Sequence, residues 1–210
     1  MAITADQVKA LRDKTGAGMM ECKAALTETA GNMEEAIVVL RKRGVAKAAS
    51  RTGRATKQGA VGIYAHMPVA EGSGPFGFAK LGVLVEVNCE SDFVAKTDDF
   101  KTLVKELAMQ VAAADPKHVS RDQVPAAEVE KEREIYRAQV ADQKKPAHVI
   151  DKIVDGKLES FYERVCLLDQ LSVRDQSVKV SQMIAAAVAK TGENITVSRF
   201  ARFKLGEAAE

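Results

Sequence analysis

One junction constrains the fold of this chain more than any other segment. The apolar run Leu81-Gly82-Val83-Leu84-Val85-Glu86-Val87 reads as a buried strand. The stretch from Thr97 to Ala114 carries Phe100, Leu103, Val104, Leu107 and Val111 at helical spacing and reads as an amphipathic helix. Between them, Cys89-Glu90-Ser91-Asp92-Phe93-Val94-Ala95-Lys96 is a strand-to-helix turn, the kind of place where a rigid scaffold displays working groups. An acid and a large aromatic ring stand side by side there. Two arrangements fit the local residues. In one, Asp92 caps the helix and Phe93 folds back into the core; N-cap Asp is common, and this is the commoner use of such residues. In the other, both point outward. Burying the ring in a partner then contributes roughly 1.5–3 kcal/mol, and the carboxylate hydrogen-bonds partner donors.

The first fifty residues read as three short helices. Thr4 and Gln7 form a capping-box start, with Val8 and Leu11 on one face. Thr15-Gly16-Ala17-Gly18 breaks the chain before a second helix with Met19, Cys22, Ala25 and Leu26. Gly31-Asn32 breaks it again before Met33, Ala36, Ile37 and Leu40. Such a bundle is near the smallest size that folds unaided, so it leans on the rest of the protein or on a partner. Arg41 to Gln58 follows with Arg41, Lys42, Arg43, Lys47, Arg51, Arg54 and Lys57, and no acid occurs from Ala36 to Ala70. A phosphate-binding patch and a solvated basic tether both fit this run. The tether is preferred, because no aromatic residues interleave to stack on bases.

From Gly59 the pattern changes. Ala60 to Met67 and Lys80 to Val87 read as strands of an antiparallel hairpin flanking a Gly/Pro-rich loop from Pro68 to Gly77. Asp115-Pro116 ends the Thr97–Ala114 helix. A charged helix follows Pro125 to about Ala141, and a long helix opens at Pro146 and reaches about Leu168. Ser177 to Lys190 is a further helix, and Gly192-Glu193-Asn194 turns the chain into a last strand, Ile195 to Leu205. The expected fold class is α+β. Its expected parts are a three-helix bundle over 1–45, a basic linker over 46–58, and a core over 59–210 in which a three-stranded antiparallel sheet packs with helices.

Composition narrows the function classes. The 210 residues are 46% hydrophobic and 29% charged, as a folded soluble protein is. Lys and Arg number 31 against 29 for Asp and Glu, so a formal charge of +2 predicts no dominant field for nucleic acid or membrane. The amino terminus lacks the basic start and apolar run of a signal peptide, and no stretch is apolar enough to span a bilayer. Cys22, Cys89 and Cys166 are widely spaced, which fits reduced thiols and a cytoplasmic protein, with pairing of one cysteine across a dimer as the alternative. Neither they nor His66, His118 and His148 form metal-ligand spacing, so no metal or other cofactor is expected. No nucleophile elbow, Walker A sequence or GxGxxG occurs, and Gly16-Ala17-Gly18 lacks the Lys-Ser/Thr that phosphate binding needs. The chain is expected to be no enzyme and to bind no nucleotide directly.

Leu11-Arg12-Asp13-Lys14-Thr15-Gly16-Ala17-Gly18-Met19-Met20-Glu21-Cys22-Lys23-Ala24-Ala25-Leu26, taken with Val87 to Lys96, closely resembles the bacterial elongation factor Ts family. Gly156 to Glu163 looks like that family's carboxy-terminal helix, and Ile195 to Gly206 like its last strand. The resemblance covers essentially the whole chain. It implies a nucleotide exchange factor whose partner is the GTPase elongation factor Tu, with an N-terminal module similar to ubiquitin-associated domains. The family's Phe is thought to wedge between GTPase helices beside the Mg²⁺ site. By motif match that role falls on Phe93, with Asp92 bonding the displaced helix and Ser91 and Val94 shaping the turn. Arg12, Met19, Met20 and Lys23 match the family's second contact. The structural alternative is that one of the two methionines is core; adjacent helical positions diverge, so at least one must be exposed.

The sequence departs from the family in two places. Ser91 stands where Thr is usual, and Gln170-Leu171-Ser172-Val173 where Gln-Pro-Phe-Val is frequent. Longer family members carry two related core halves and this length holds one, which implies a homodimer. Two rival readings remain: an interaction module built on the bundle that leaves its partner's nucleotide alone, and a nucleic-acid binder using Arg41 to Lys57.

Overall fold

A computed structural model describes residues 3–66, 79–141 and 146–207. It contains helices first and then a three-stranded antiparallel sheet packed with helices, an α+β fold. Contacts group the chain into two units. One comprises Met1–Val61, Glu86–Val104 and Ser181–Val197, and the other Gly62–Val85, Lys105–Val180 and Ser198–Glu210.

In the first unit, α1 (Ala5–Thr15) begins at the expected capping box. The Thr4 hydroxyl accepts from Gln7 N at 3.3 Å, while Gln7 Oε1 accepts from Thr4 N at 3.0 Å. Gly16 ends the helix at φ +68°, a left-handed conformation that favours glycine, and its N–H donates to Arg12 O at 2.7 Å. Helix α2 (Met19–Glu28) and α3 (Met33–Ala49) complete the bundle around Val8, Leu11, Cys22, Ala25, Leu26, Ala36 and Leu40. Asn32 caps α3 by accepting from Glu34 N and Glu35 N.

Helix α3 runs farther than the periodicity indicated. Arg41, Lys42, Arg43 and Lys47 are helical, and only residues 50–57 form turns and irregular chain. The reason is partnership: Arg43 pairs with Glu28 at 2.6 Å and Lys47 with Glu21, which ties the far half of α3 to α2. Gly44 is buried in α3, and a Cβ built there meets Ala189 Cβ at 3.7 Å.

The sheet has the order β1 (Gln58–His66), β2 (Leu81–Cys89), β3 (Ile195–Lys204), with β2 in the centre. Val83, Val85, Val87 and Cys89 of β2 are buried in strict alternation, the period a one-sided sheet requires. Gly59 adopts φ +148°, and a Cβ there would run into the Val87 carbonyl oxygen, so no other residue fits. The Pro68–Gly77 loop lies outside the described residues.

Beyond the turn, α5 (Asp98–Ala114) buries Phe100, Leu103, Val104, Leu107 and Val111, the expected inner face. In the second unit, α6 (Ala126–Val140) and α7 (Ala147–Val165) pack through Val140, Val154 and Leu158. The segment Gln170–Val173 is held by buried amides. Gln110 Nε2 donates to Gln170 Oε1 at 3.0 Å and to Leu171 O at 3.1 Å, and Val173 N donates to Gln110 Oε1 at 2.8 Å. The departure from the family pattern is thus accommodated by a satisfied polar network. In the first unit, α8 (Val180–Thr191) leads through Gly192, at φ +82°, into β3.

Candidate functional site

The chain leaves β2 with Cys89 fully buried and turns at Glu90 and Ser91 into a single helical turn, α4 (Asp92–Ala95). Ser91, not Asp92, is the N-cap: its hydroxyl accepts from Val94 N at 3.4 Å. Asp92 sits in the first turn with its carboxylate outward, paired to Lys96 at 2.6 Å one turn on. The hydrogen bond from Lys96 is the main cause that holds this carboxyl below the usual aspartate range. Val94 turns inward and is buried.

Phe93 is 80% exposed, so the arrangement that folds its ring into the core does not occur. A helix of four residues fixes too few hydrogen bonds to hold itself in water. Its order comes from anchors on either side. Ser91 N donates to Glu193 Oε2 at 3.0 Å, and Ser91 Oγ to Glu193 Oε1 at 2.6 Å. Glu90 Oε1 accepts from Asn194 N at 2.6 Å and stands 3.5 Å from Arg54. The Thr97 hydroxyl donates to Val94 O at 2.8 Å, closing the far end. Cys89 Sγ lies 3.1 Å from Ser91 O, and burial pushes this thiol up, as it pushes the Cys166 thiol up to about 11. Both stay protonated and are poor nucleophiles at neutral pH. No His/Cys/Asp/Glu group able to hold a metal occurs among the described residues.

The second set of residues lies on the bundle. Met19 and Met20 are 46% and 76% exposed, so neither is core. Cys22, Ala25 and Leu26 fill the inner face of α2 instead, and Met19 opens the helix. Met20, Lys23, Ala24, Thr27 and Glu28 line a shallow open depression, with Met20, Lys23, Ala24 and Thr27 in the stacked spacing of one helix face. Arg12 on α1 and Lys23 are exposed and carry no ion pair among the described residues. No hydrogen bond or ion pair joins these four residues to Ser91–Val94 among the described residues.

Sequence reasoning missed Arg54, Glu193 and Asn194 as neighbours of the turn, and with them the bracing role of Glu90 within it. Glu193 is 102 residues from Ser91, and only the fold brings α8's end beside it. The family model described as Elongation factor TS matches residues 1–207. A protein named Elongation factor Ts from Fervidobacterium nodosum is 54% identical over 207 residues, covering 99% of this chain and all of that protein. Its namesake from Koribacter versatilis is 54% identical over 210 residues, covering all of this chain and 91% of that one. One from an Anaeromyxobacter species is 55% identical over 208 residues, covering 99% and 90%. With a full-length family match and identities of this size, the chain belongs to the elongation factor Ts family.

Proposed function

We propose that this protein is the guanine nucleotide exchange factor of elongation factor Tu, and that Ser91-Asp92-Phe93-Val94 carries the exchange. The single observation behind the reading is Phe93, a large ring held out into solvent on a braced turn. A single exposed ring is ordinary on a protein surface; this one stands in the Ser91–Val94 stretch that resembles the family's exchange motif, and a wedge needs it exposed before the partner arrives.

Exchange is a coupling problem. A factor that weakens nucleotide binding must itself be weakened equally by nucleotide. In this type of GTPase, Mg²⁺ bridges the phosphates and is linked to the switch loops. A ring driven between helices beside the metal displaces that clamp and leaves phosphate charge poorly neutralised, so GDP leaves and GTP binds. Asp92 gives up its exposed bond to Lys96 and accepts from the displaced helix, a cheap trade because water already screens a pair this exposed. Arg12, Met19, Met20 and Lys23 supply the second contact, in which flexible methionines adapt to an apolar surface and the cations orient it. The working parts are then the bundle over 1–45, the basic connection over 46–58 and the core over 59–210. No covalent bond changes, so the protein acts on its partner without being an enzyme, and its place is the cytoplasm.

The partner also includes a second copy of this chain. Ile63 and Leu84 are exposed on β1 and β2, Phe203 is 72% exposed near the end of β3, and Leu205 is exposed just past it. Apolar surface of this kind is what a homodimer would cover. The basic run offers little to a nucleic acid, since Arg43, Lys47 and Arg54 already face Glu28, Glu21 and Glu90.

The test of the exchange reading is release of fluorescent GDP from elongation factor Tu. Wild type is expected to accelerate it strongly. Phe93→Ala, with an unchanged circular dichroism spectrum, is expected to lose about tenfold to a hundredfold of that acceleration, the value of one buried ring. No acceleration by wild type would leave the interaction-module reading in its place.

A further inference from the structure

The exchange turn is held by a partner that the motif does not contain. Glu193 accepts two hydrogen bonds from one residue, Ser91, through different carboxylate oxygens: N–H to Oε2 at 3.0 Å and O–H to Oε1 at 2.6 Å. That second bond fixes the hydroxyl proton on Glu193, so the serine lone pairs face Val94 N and cap α4. The brace is reciprocal. Glu90, the residue before Ser91, accepts from Asn194 N, the residue after Glu193, at 2.6 Å.

The α8–β3 turn is itself anchored to the exit of the N-terminal bundle. Arg51 Nε donates to Gly192 O at 2.6 Å, and Asn194 Nδ2 donates to Arg54 O at 2.9 Å. Thr191 Oγ1 lies 3.4 Å from Glu193 N. Asn194 is buried, and every bond in this set lies within the first unit.

We propose that Glu193 is the positioning residue of the exchange turn, setting the Ser91 cap and with it the direction in which Phe93 leaves the protein. The inference rests on the reading of Phe93 given above. The carboxylate serves the two donors through separate, charged oxygens, whereas the glutamine amide offers one neutral acceptor oxygen and alanine none. Without Glu193 the serine hydroxyl turns toward water and α4, too short to persist alone, loses its cap. The ring stays on the chain, but binding must then order it, and misplacement of a working group by about 1 Å can cost up to about a hundredfold in rate.

The experiment measures GDP release from elongation factor Tu against factor concentration for wild type, Phe93→Ala, Glu193→Gln, Glu193→Ala, Ser91→Ala and the Ser91→Ala/Glu193→Ala pair. Amide hydrogen exchange and Tm are read on each. Glu193→Ala is expected to lower the maximal release rate about tenfold, with a smaller change in half-saturating concentration. It should also speed exchange of the Ser91 and Val94 amides while leaving the α5 and bundle amides protected. Glu193→Gln should fall between it and wild type, and the pair should lose little more than Ser91→Ala, because both substitutions remove the same cap. A wild-type maximal rate in Glu193→Ala beside an inactive Phe93→Ala would overturn the proposal and leave the exchange reading standing. So would equal losses in Glu193→Gln and Glu193→Ala accompanied by collapse of Tm, which would mark a merely structural role. A fully active Phe93→Ala would remove the exchange reading itself, and this proposal with it.

Discussion

The two surfaces assigned to the partner are built on opposite principles. The exchange turn presents one rigid ring, and its backbone is cross-braced by Glu193, Glu90 and Asn194 across more than a hundred residues of chain. The bundle face presents adjacent methionines on a small local core, with Lys23 beside Met20. A ring that must displace packed helices works only if it does not yield, so its support is polar and directional. A surface that supplies affinity gains from adapting, and unbranched Met adapts at little cost. The difference predicts a division of labour, in which the turn controls the maximal rate of nucleotide release and the bundle controls the concentration at which it is reached.

The sharpest way to break that division, after loss of the Phe93 ring, is through the bundle core. Leu26 is fully buried, and Leu26→Ala should cost about 2–5 kcal/mol, enough to unfold so small a unit locally. The half-saturating concentration for GDP release should then rise at least about tenfold, with the maximal rate retained. A fall in maximal rate instead would mean that the bundle takes part in exchange itself. A gentler version is Met20→Ala, which touches no core residue. It should raise the half-saturating concentration by about threefold to tenfold, as an ordinary interface contact does, and leave Tm unchanged.

The smallest effect concerns acid. The hydrogen bond to Lys47 is the largest cause that holds the Glu21 carboxyl below its ordinary value, and the pair ties α2 to α3. A depressed carboxylate stabilises the fold above its unfolded value and loses that contribution as pH falls through the folded one. Bundle stability should therefore decline from about pH 4.5 downward, by less than about 1 kcal/mol for this partly exposed pair. Glu21→Gln should flatten that part of the Tm profile. An unaltered profile in the variant would show that Lys47 contributes nothing there.

Periodicity located the turn because a β-branched run and a helical stripe leave little freedom for what lies between. It did not settle which residue caps α4. Ser91 and Asp92 are both good caps, and the choice is made by Glu193, which no local pattern connects to them. The same blindness appears at α2. Spacing required at least one exposed methionine, whereas the folded bundle exposes both, because Cys22, Ala25 and Leu26 suffice to fill so small a core. Helix α3 was read too short because its last turns carry charge instead of an apolar stripe, and their partners lie on α2. No local pattern marks Arg202, whose side chain is 11% exposed and bonds Ala112 O while pairing with Asp115 and Glu207. What the sequence hides at α4 and α3 is a polar partner on another element. Apolar period repeats along the chain, and pairing across the fold does not.

The central claim is that Phe93 drives release while the bundle face drives binding. Its most direct test is the concentration dependence of GDP release from elongation factor Tu with Phe93→Ala. The account predicts a maximal rate lower by about tenfold to a hundredfold and a half-saturating concentration close to that of wild type. An unchanged maximal rate reached only at higher concentration would contradict it, and would make the ring one more binding contact.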